Sequence, residues 1–162
     1  ILIFPITNYF PRSFFFTAIL ISALTDIFAL VFGKLIGKKF VFPNISPNKT
    51  LEGTLSGVFF PGFLLILFTF LFNDLQASKD KIFYEYLSTG FLTDSLGYFL
   101  SFLIITSCSL VSISGDLMAS KAKRLLKIKD FGTLLPGHGG VLDRIDSHLF
   151  CIPLFFLLGS FI

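Results

Sequence analysis

The chain has 162 residues, is 54% hydrophobic and only 14% charged, and carries a formal net charge of +3, with a mean hydropathy of +0.84. A soluble domain has about a quarter of its residues charged, so these side chains cannot cover a water-soluble globule, and lipid is the expected solvent for much of the surface. No nucleic-acid partner is expected from so small a charge, and the 24 Phe residues are read as compositional bias, not as a cofactor box.

The chain opens on Ile1 and its single methionine is Met118, so it is expected to be a piece of a longer one. Ile1 to Phe10 reads as the remnant of a further span ending at Pro11. A bilayer core needs about 20 mainly apolar residues per helix. The first full span is expected over Ser13 to Ile36, bounded by Pro11-Arg12 and by Lys34 to Lys39, with Asp26 inside it. The second runs from Gly53 to Phe72, with Pro61-Gly62 as a kink. The third runs from Gly90 to Met118, with Asp94 near its start and Asp116 near its end. The fourth, His148 to Ile162, is short and is read as cut at its C-terminus, with His148 at the interface. No run alternates polar and apolar residues at period two, which favours a helical bundle over a membrane barrel. Cys108 and Cys151 lie in apolar runs without metal-type spacing and are read as buried free thiols, not as a disulfide.

Charges in the connecting segments set an orientation. Lys34, Lys38, Lys39 and Lys49 face only Glu52 between the first two spans, and a basic run from Lys121 to Arg144 separates the third span from the fourth. The middle connection is balanced, with Lys79 and Lys81 against Asp74, Asp80 and Glu85. The positive-inside rule therefore puts the first and third connections in the cytoplasm. The chain is expected to be an all-α, polytopic transmembrane bundle.

Those two connections also carry the chemistry. Asp143 and Asp146 are three positions apart, which on a helix places their Cβ atoms about 5–6 Å from each other. Two such charges repel unless a cation lies between them. Magnesium takes oxygen ligands, commonly one or two carboxylates plus phosphate oxygens, and Asp116 is the natural third contributor. Lys123, Arg124 and Lys129 suit phosphate oxygens, and the Pro136 to Gly140 turn can bring bare backbone N–H groups to an anion. It is not a Walker A loop. Basic residues beside a membrane are by default anchors or lipid-headgroup contacts, the reading kept for Lys121 and Lys127. His138 is either a general base, a phosphate donor or a turn residue. In the first connection Thr50 is placed to cap a helix, which would put Lys49 at a helix start, where a cation is unfavourable without an anion nearby, and Lys49 is therefore read as facing a phosphate. Asp26 is either a functional intramembrane acid or a structural hydrogen-bonding group.

The stretch Ser120 to Asp146, SKAKRLLKIKDFGTLLPGHGGVLDRID, closely resembles the signature of the phosphatidate cytidylyltransferases. Ser120, Lys123, Arg124, Lys129, Asp130, Gly139, Gly140, Arg144 and Asp146 stand at its fixed positions. A second block, from Asp26 through Phe32-Gly33-Lys34 to the run Ser46-Pro47-Asn48-Lys49-Thr50-Leu51-Glu52-Gly53, is similar to the family's other segment. Leu30 departs from the aromatic common there, and Ser56-Gly57 from the usual Gly-Gly.

The resemblance implies a single membrane catalytic domain over 1–162, the C-terminal portion of the family architecture with its N-terminal helices absent. It implies transfer of CMP from CTP to phosphatidate with release of pyrophosphate, by a homodimeric enzyme among membrane lipids whose catalytic loops face the cytoplasm. Metal binding is implied for Asp116, Asp143 and Asp146, with magnesium and a monovalent companion such as potassium. Asp116, Lys123, Arg124, Asp143 and Asp146 are the expected catalytic set. Ser46, Lys49, Thr50, Glu52, Ser120, Lys129, Asp130, His138, Gly139, Gly140 and Arg144 are the expected substrate contacts. The rivals are a CTP-dependent polyprenol or phytol kinase, another lipid cytidylyltransferase, and a non-enzymatic transporter or scaffold.

Overall fold

The computed structural model describes residues 12–42, 46–72, 95–128, 130–132 and 140–159. The expected remnant over Ile1 to Phe10, the middle connection and Asp94 lie outside them. The described chain is helical apart from one small hairpin: α1 (Arg12–Ile36), β1 (Phe40–Phe42), β2 (Ser46–Thr50), α2 (Leu51–Phe72), α3 (Ser95–Leu125) and α4 (Leu142–Gly159). The strands pair antiparallel, with Phe40 opposite Thr50 and Phe42 opposite Ser46. Three of these helices have stretches long and apolar enough to cross a membrane, Phe15–Ile36, Leu51–Phe68 and Gly97–Leu125, whereas the apolar part of α4, Ile145–Leu158, is shorter. The all-α membrane bundle is therefore as the sequence predicts, and the hairpin is an addition to it.

Two helix ends differ from expectation for the same reason. α3 continues past Met118 to Leu125, and α4 begins at Leu142 instead of His148. The apolar run ends in both cases before the helix does, because Ala, Lys, Arg and Leu propagate a helix well in water. At 31 residues, α3 rises about 46 Å, more than the ~30 Å of hydrocarbon, so its basic last turns stand clear of the membrane. They end in a left-handed Lys127 (φ 55°), with Ile128 N–H donating to the Lys123 carbonyl and Lys127 N–H to that of Arg124. This is a Schellman cap made without glycine.

Small residues set the helix spacing. A Cβ on Gly53 of α2 would stand 2.5 Å from the Ala29 carbonyl oxygen and 2.8 Å from Gly33 Cα of α1, and one on Gly57 would stand 2.8 Å from the Thr25 carbonyl. The two backbones touch, as small-residue interfaces allow in lipid, where hydrophobic drive between helices is absent. Beside this seam Phe60 stacks on Phe32 and Phe28, with ring centroids 4.5 and 5.5 Å apart. The apolar core lies where α1, α2, α3 and α4 meet, around Ile21, Leu65, Ile105 and Phe155. Cys108 and Cys151 are buried in it as free thiols.

Where α1 crosses α3 the contact is polar. Ser22 Oγ lies 2.9 Å from Ser112 Oγ, and Thr25 Oγ1 lies 3.0 Å from Ser109 Oγ. All four side chains are fully buried. Ser22 sits one turn before Asp26 and Ser112 one turn before Asp116, so this crossing delivers both carboxylates into the same space. Thr25→Val keeps the shape but leaves Ser109 without its partner. It is expected to lower unfolding stability in detergent by about 1 kcal/mol. The double variant Thr25→Val/Ser109→Ala is expected to recover part of that loss, because no hydroxyl is then stranded.

Candidate active site at the membrane boundary

A cavity of about 770 Å³ opens between α1, the hairpin, the start of α2 and α3. Its polar wall comes from Asp26, Lys34, Ser46, Lys49, Thr50 and Asp116, and its apolar wall from Ala29, Leu30, Phe40 and Ile113. Local rules explain much of this wall. Thr50 is the N-cap of α2, its Oγ1 accepting from Gly53 N–H at 3.2 Å. The backbone is anchored again where Leu51 N–H donates to the Lys39 carbonyl at 2.8 Å. Lys49 is expected to face a phosphate, and in the structure its Nζ pairs with a carboxylate from another helix, Asp116 Oδ2. Glu52 lies off the cavity lining: its Oε2 accepts the backbone N–H groups of Lys38 and Lys39 at 3.1 and 3.3 Å, tying the end of α1 to the start of α2.

A second cluster forms where α3 leaves the membrane and α4 begins. Lys123 Nζ donates to Asp143 Oδ1 at 2.8 Å, and the Asp143 side chain is only 8% exposed. Its other oxygen accepts the N–H groups of Phe131 and Gly140, both at 2.9 Å. The Lys123 hydrogen bond, reinforced by those two N–H groups, holds the Asp143 carboxyl below the usual carboxylate range. The Phe131 ring lies under the Lys123 ammonium, 5.3 Å from ring centre to Nζ. Gly140 is required here for close approach, because a Cβ would stand 2.8 Å from Gly132 N.

Asp146 joins the two clusters. It interacts electrostatically with Asp116 and also with Lys123 and Asp143. Its own hydrogen bond is to the adjacent Ser147 N–H, 2.8 Å, and among the described residues no lysine or arginine pairs with it. Gly115 keeps it close to Asp116, since a Cβ there would stand 2.7 Å from the Phe150 ring and 3.2 Å from the Asp146 carbonyl. Asp26 completes the polar centre by accepting from Ser147 Oγ at 2.9 Å and interacting with Asp116, Lys49 and His148. It lines the cavity and bonds a neighbouring helix, the second being the structural hydrogen bond that was one of its two readings from sequence.

Of the expected residues, Ser46, Lys49, Thr50 and Asp116 meet in the cavity, Lys123, Gly140 and Asp143 in the second cluster, and Asp146 between them. Ser120 is half-buried on α3 between the levels of Asp116 and Lys123, while Arg124 and Asp130 are exposed. Lys129, His138 and Gly139 lie outside the described residues, as does the side chain of Arg144. Sequence reasoning named Lys34 within the second family-like block but not as a substrate contact, and it did not single out Ser147. Lys34 had a readable signal, because Asp26, Leu30 and Lys34 follow at four-residue spacing down one helix face; Ser147 had none, since its partner is distant in sequence.

Carboxylate oxygens are the donors a hard cation takes. Among the described residues, however, no three metal-ligating side chains are gathered closely enough to hold an ion, and Asp116 and Asp143 each already face an ammonium group. In this arrangement the acids fit two lysines, not a metal held by all three together.

The comparisons with known proteins agree with the signature. The cytidylyltransferase family model matches residues 3–162. The chain is 38% identical over 141 residues to a phosphatidate cytidylyltransferase of Staphylococcus haemolyticus, covering 87% of this chain and 46% of that protein. A Staphylococcus epidermidis protein of the same name gives the same figures, and one from Staphylococcus aureus is 37% identical over the same shares. The chain thus spans a little under half the length of these curated relatives. Because the match runs through both polar clusters and all four helices that carry them, the chain belongs to the cytidylyltransferase family.

Proposed function

We propose that the protein is the catalytic part of a CTP:phosphatidate cytidylyltransferase. The observation that carries this reading is the position of Asp146, an acid without an ion-pair partner among the described residues, between two lysine–carboxylate pairs beside a cavity at the membrane boundary. Such a centre suits a polyanion accompanied by cations. Lys49 and Lys123 are each held by an acid and can turn to phosphate oxygens, with Ser46 and Arg124 as further donors. The start of α2 is itself favourable for negative charge.

The reaction joins a phosphate oxygen of phosphatidate to the α-phosphorus of CTP and breaks the bond to the β-phosphate, releasing pyrophosphate. A phosphate monoester is already ionised near neutral pH, so the nucleophile requires no strong base. The work of the chain is then to align the two phosphates and stabilise the charge that develops. The ions implied by the resemblance, magnesium with potassium beside it, would accompany CTP and would not be held by Asp116, Asp143 and Asp146 together. The polar clusters would face the cytoplasm, where CTP is found, and the exposed apolar helix faces would meet lipid and, in the homodimer, a second copy.

Pyrophosphate release from CTP and phosphatidate tests the reading, with CTP labelled on cytidine and, separately, on the γ-phosphate. Cytidine label on the lipid, dependent on magnesium, is the expected result. Transfer of γ-label to lipid would make the protein a kinase and overturn the proposal, as would absence of any CTP-dependent product.

A further inference from the structure

We infer that Lys34, with Leu30 and Phe40, forms the lipid-side lip of the cavity and takes the phosphate of the lipid substrate. The inference rests on the function proposed above. A residue that lines a cavity and is also widely exposed marks its mouth. Leu30 and Phe40 do both, being 57% and 62% exposed. The surface around Leu30 on α1 is apolar: Ile27, Val31, Leu35 and Ile36 are all exposed and belong to a stretch fit to span a membrane. The mouth on that side therefore meets acyl chains, not water.

Lys34 is the cation at this mouth. It lies one turn beyond Leu30 on the same face of α1, lines the cavity and is exposed. Among the described residues it has no ion pair, whereas the cavity's other lysine, Lys49, is paired with Asp116 deeper inside. An ammonium on a four-carbon stem at the last turn of a membrane helix keeps its charge at headgroup depth while its stem lies along the apolar wall. That is the geometry required to hold a phosphate monoester whose acyl chains stay in the bilayer. A lysine serving only to anchor the helix end would have the same exposure but no reason to line the cavity.

Steady-state kinetics in mixed micelles test this, with dioctanoyl phosphatidate and CTP varied in turn. Lys34→Gln is expected to raise KM for dioctanoyl phosphatidate about tenfold, the size of one charge-assisted contact, with kcat and KM for CTP kept. Lys34→Arg is expected to restore the wild-type KM. An unchanged lipid KM in Lys34→Gln, or a parallel rise in KM for CTP, overturns the inference. Equilibrium binding of dioctanoyl phosphatidate and of inorganic phosphate supplies a readout independent of turnover. The lipid is expected to bind Lys34→Gln about tenfold more weakly, with the weak binding of inorganic phosphate unaltered. Equal loss for both ligands would make this a free-phosphate site and overturn the lipid assignment. Lys34-dependent lipid binding by a protein that makes no cytidine-labelled lipid would overturn the proposed reaction and leave this site standing.

Discussion

Asp146→Asn is expected to lower turnover by about a thousandfold while the protein stays folded and membrane-inserted. The substitution keeps the side-chain volume and an oxygen that can still accept from Ser147 N–H. It removes only a charge, and that charge has no ion-pair partner among the described residues. Folding therefore loses little, whereas a polyphosphate site loses a carboxylate that interacts with both Asp116 and Asp143.

Asp143→Asn is the informative contrast. Asp143 and Lys123 are only 8% and 16% exposed, and the same carboxylate also fastens Phe131 and Gly140. Neutralising it strands a lysine and loosens the entry to α4, at a cost of about 2 kcal/mol, in addition to any loss of turnover. Pyrophosphate release together with thermal unfolding in detergent separates the two variants. Full activity in Asp146→Asn would sink the assignment, and equal destabilisation of both would make Asp146 a structural residue.

How much of this centre could be read from the chain follows from the range of each interaction. Thr50 as a helix cap was legible because its partner, Gly53, is three positions away and the rule is local. The conflict of Lys49 with a helix start pointed to a phosphate, and the carboxylate that pairs with it, Asp116, was not legible, because that pair forms only after α3 packs against the hairpin. The apolar spans were readable from hydropathy, yet hydropathy ended α3 at Met118 and started α4 at His148. Helical hydrogen bonding does not stop where lipid stops, and for this reason Lys123 and Asp143 stand on helices and not in a loop. The hairpin was missed because Phe40 to Phe42 is too short to show a period, and its pairing with Ser46 to Thr50 depends on α1 and α2 being held together. Glu52 matched the family's pattern, but a carboxylate beside two free backbone N–H groups at a helix end is taken up by the chain itself.

That hold between α1 and α2 predicts the second large effect. Gly53→Val is expected to destabilise the protein by about 3 kcal/mol and to lower turnover by about a hundredfold, although Gly53 carries no chemistry. The atoms nearest the new side chain would be the Ala29 carbonyl at 2.5 Å and Gly33 Cα at 2.8 Å. Both are backbone atoms, so no rotamer change can relieve the clash, and α1 must move away from α2. That movement lengthens the distance from Thr50 to its neighbours in α1, which carries Asp26 and Lys34 on the cavity wall, while Lys49 stays with α2. Leu55→Val, two positions on and half-exposed on α2, adds no such contact and is expected to change neither quantity. Thermal unfolding and pyrophosphate release measured on the pair decide the matter. Wild-type values for Gly53→Val would mean that the close approach of these helices does not set the cavity's geometry. Loss of turnover at unchanged stability would instead place the effect in the position of Lys49 and Asp26 relative to each other, since a small shift in paired charges costs a positioning site far more than it costs a fold.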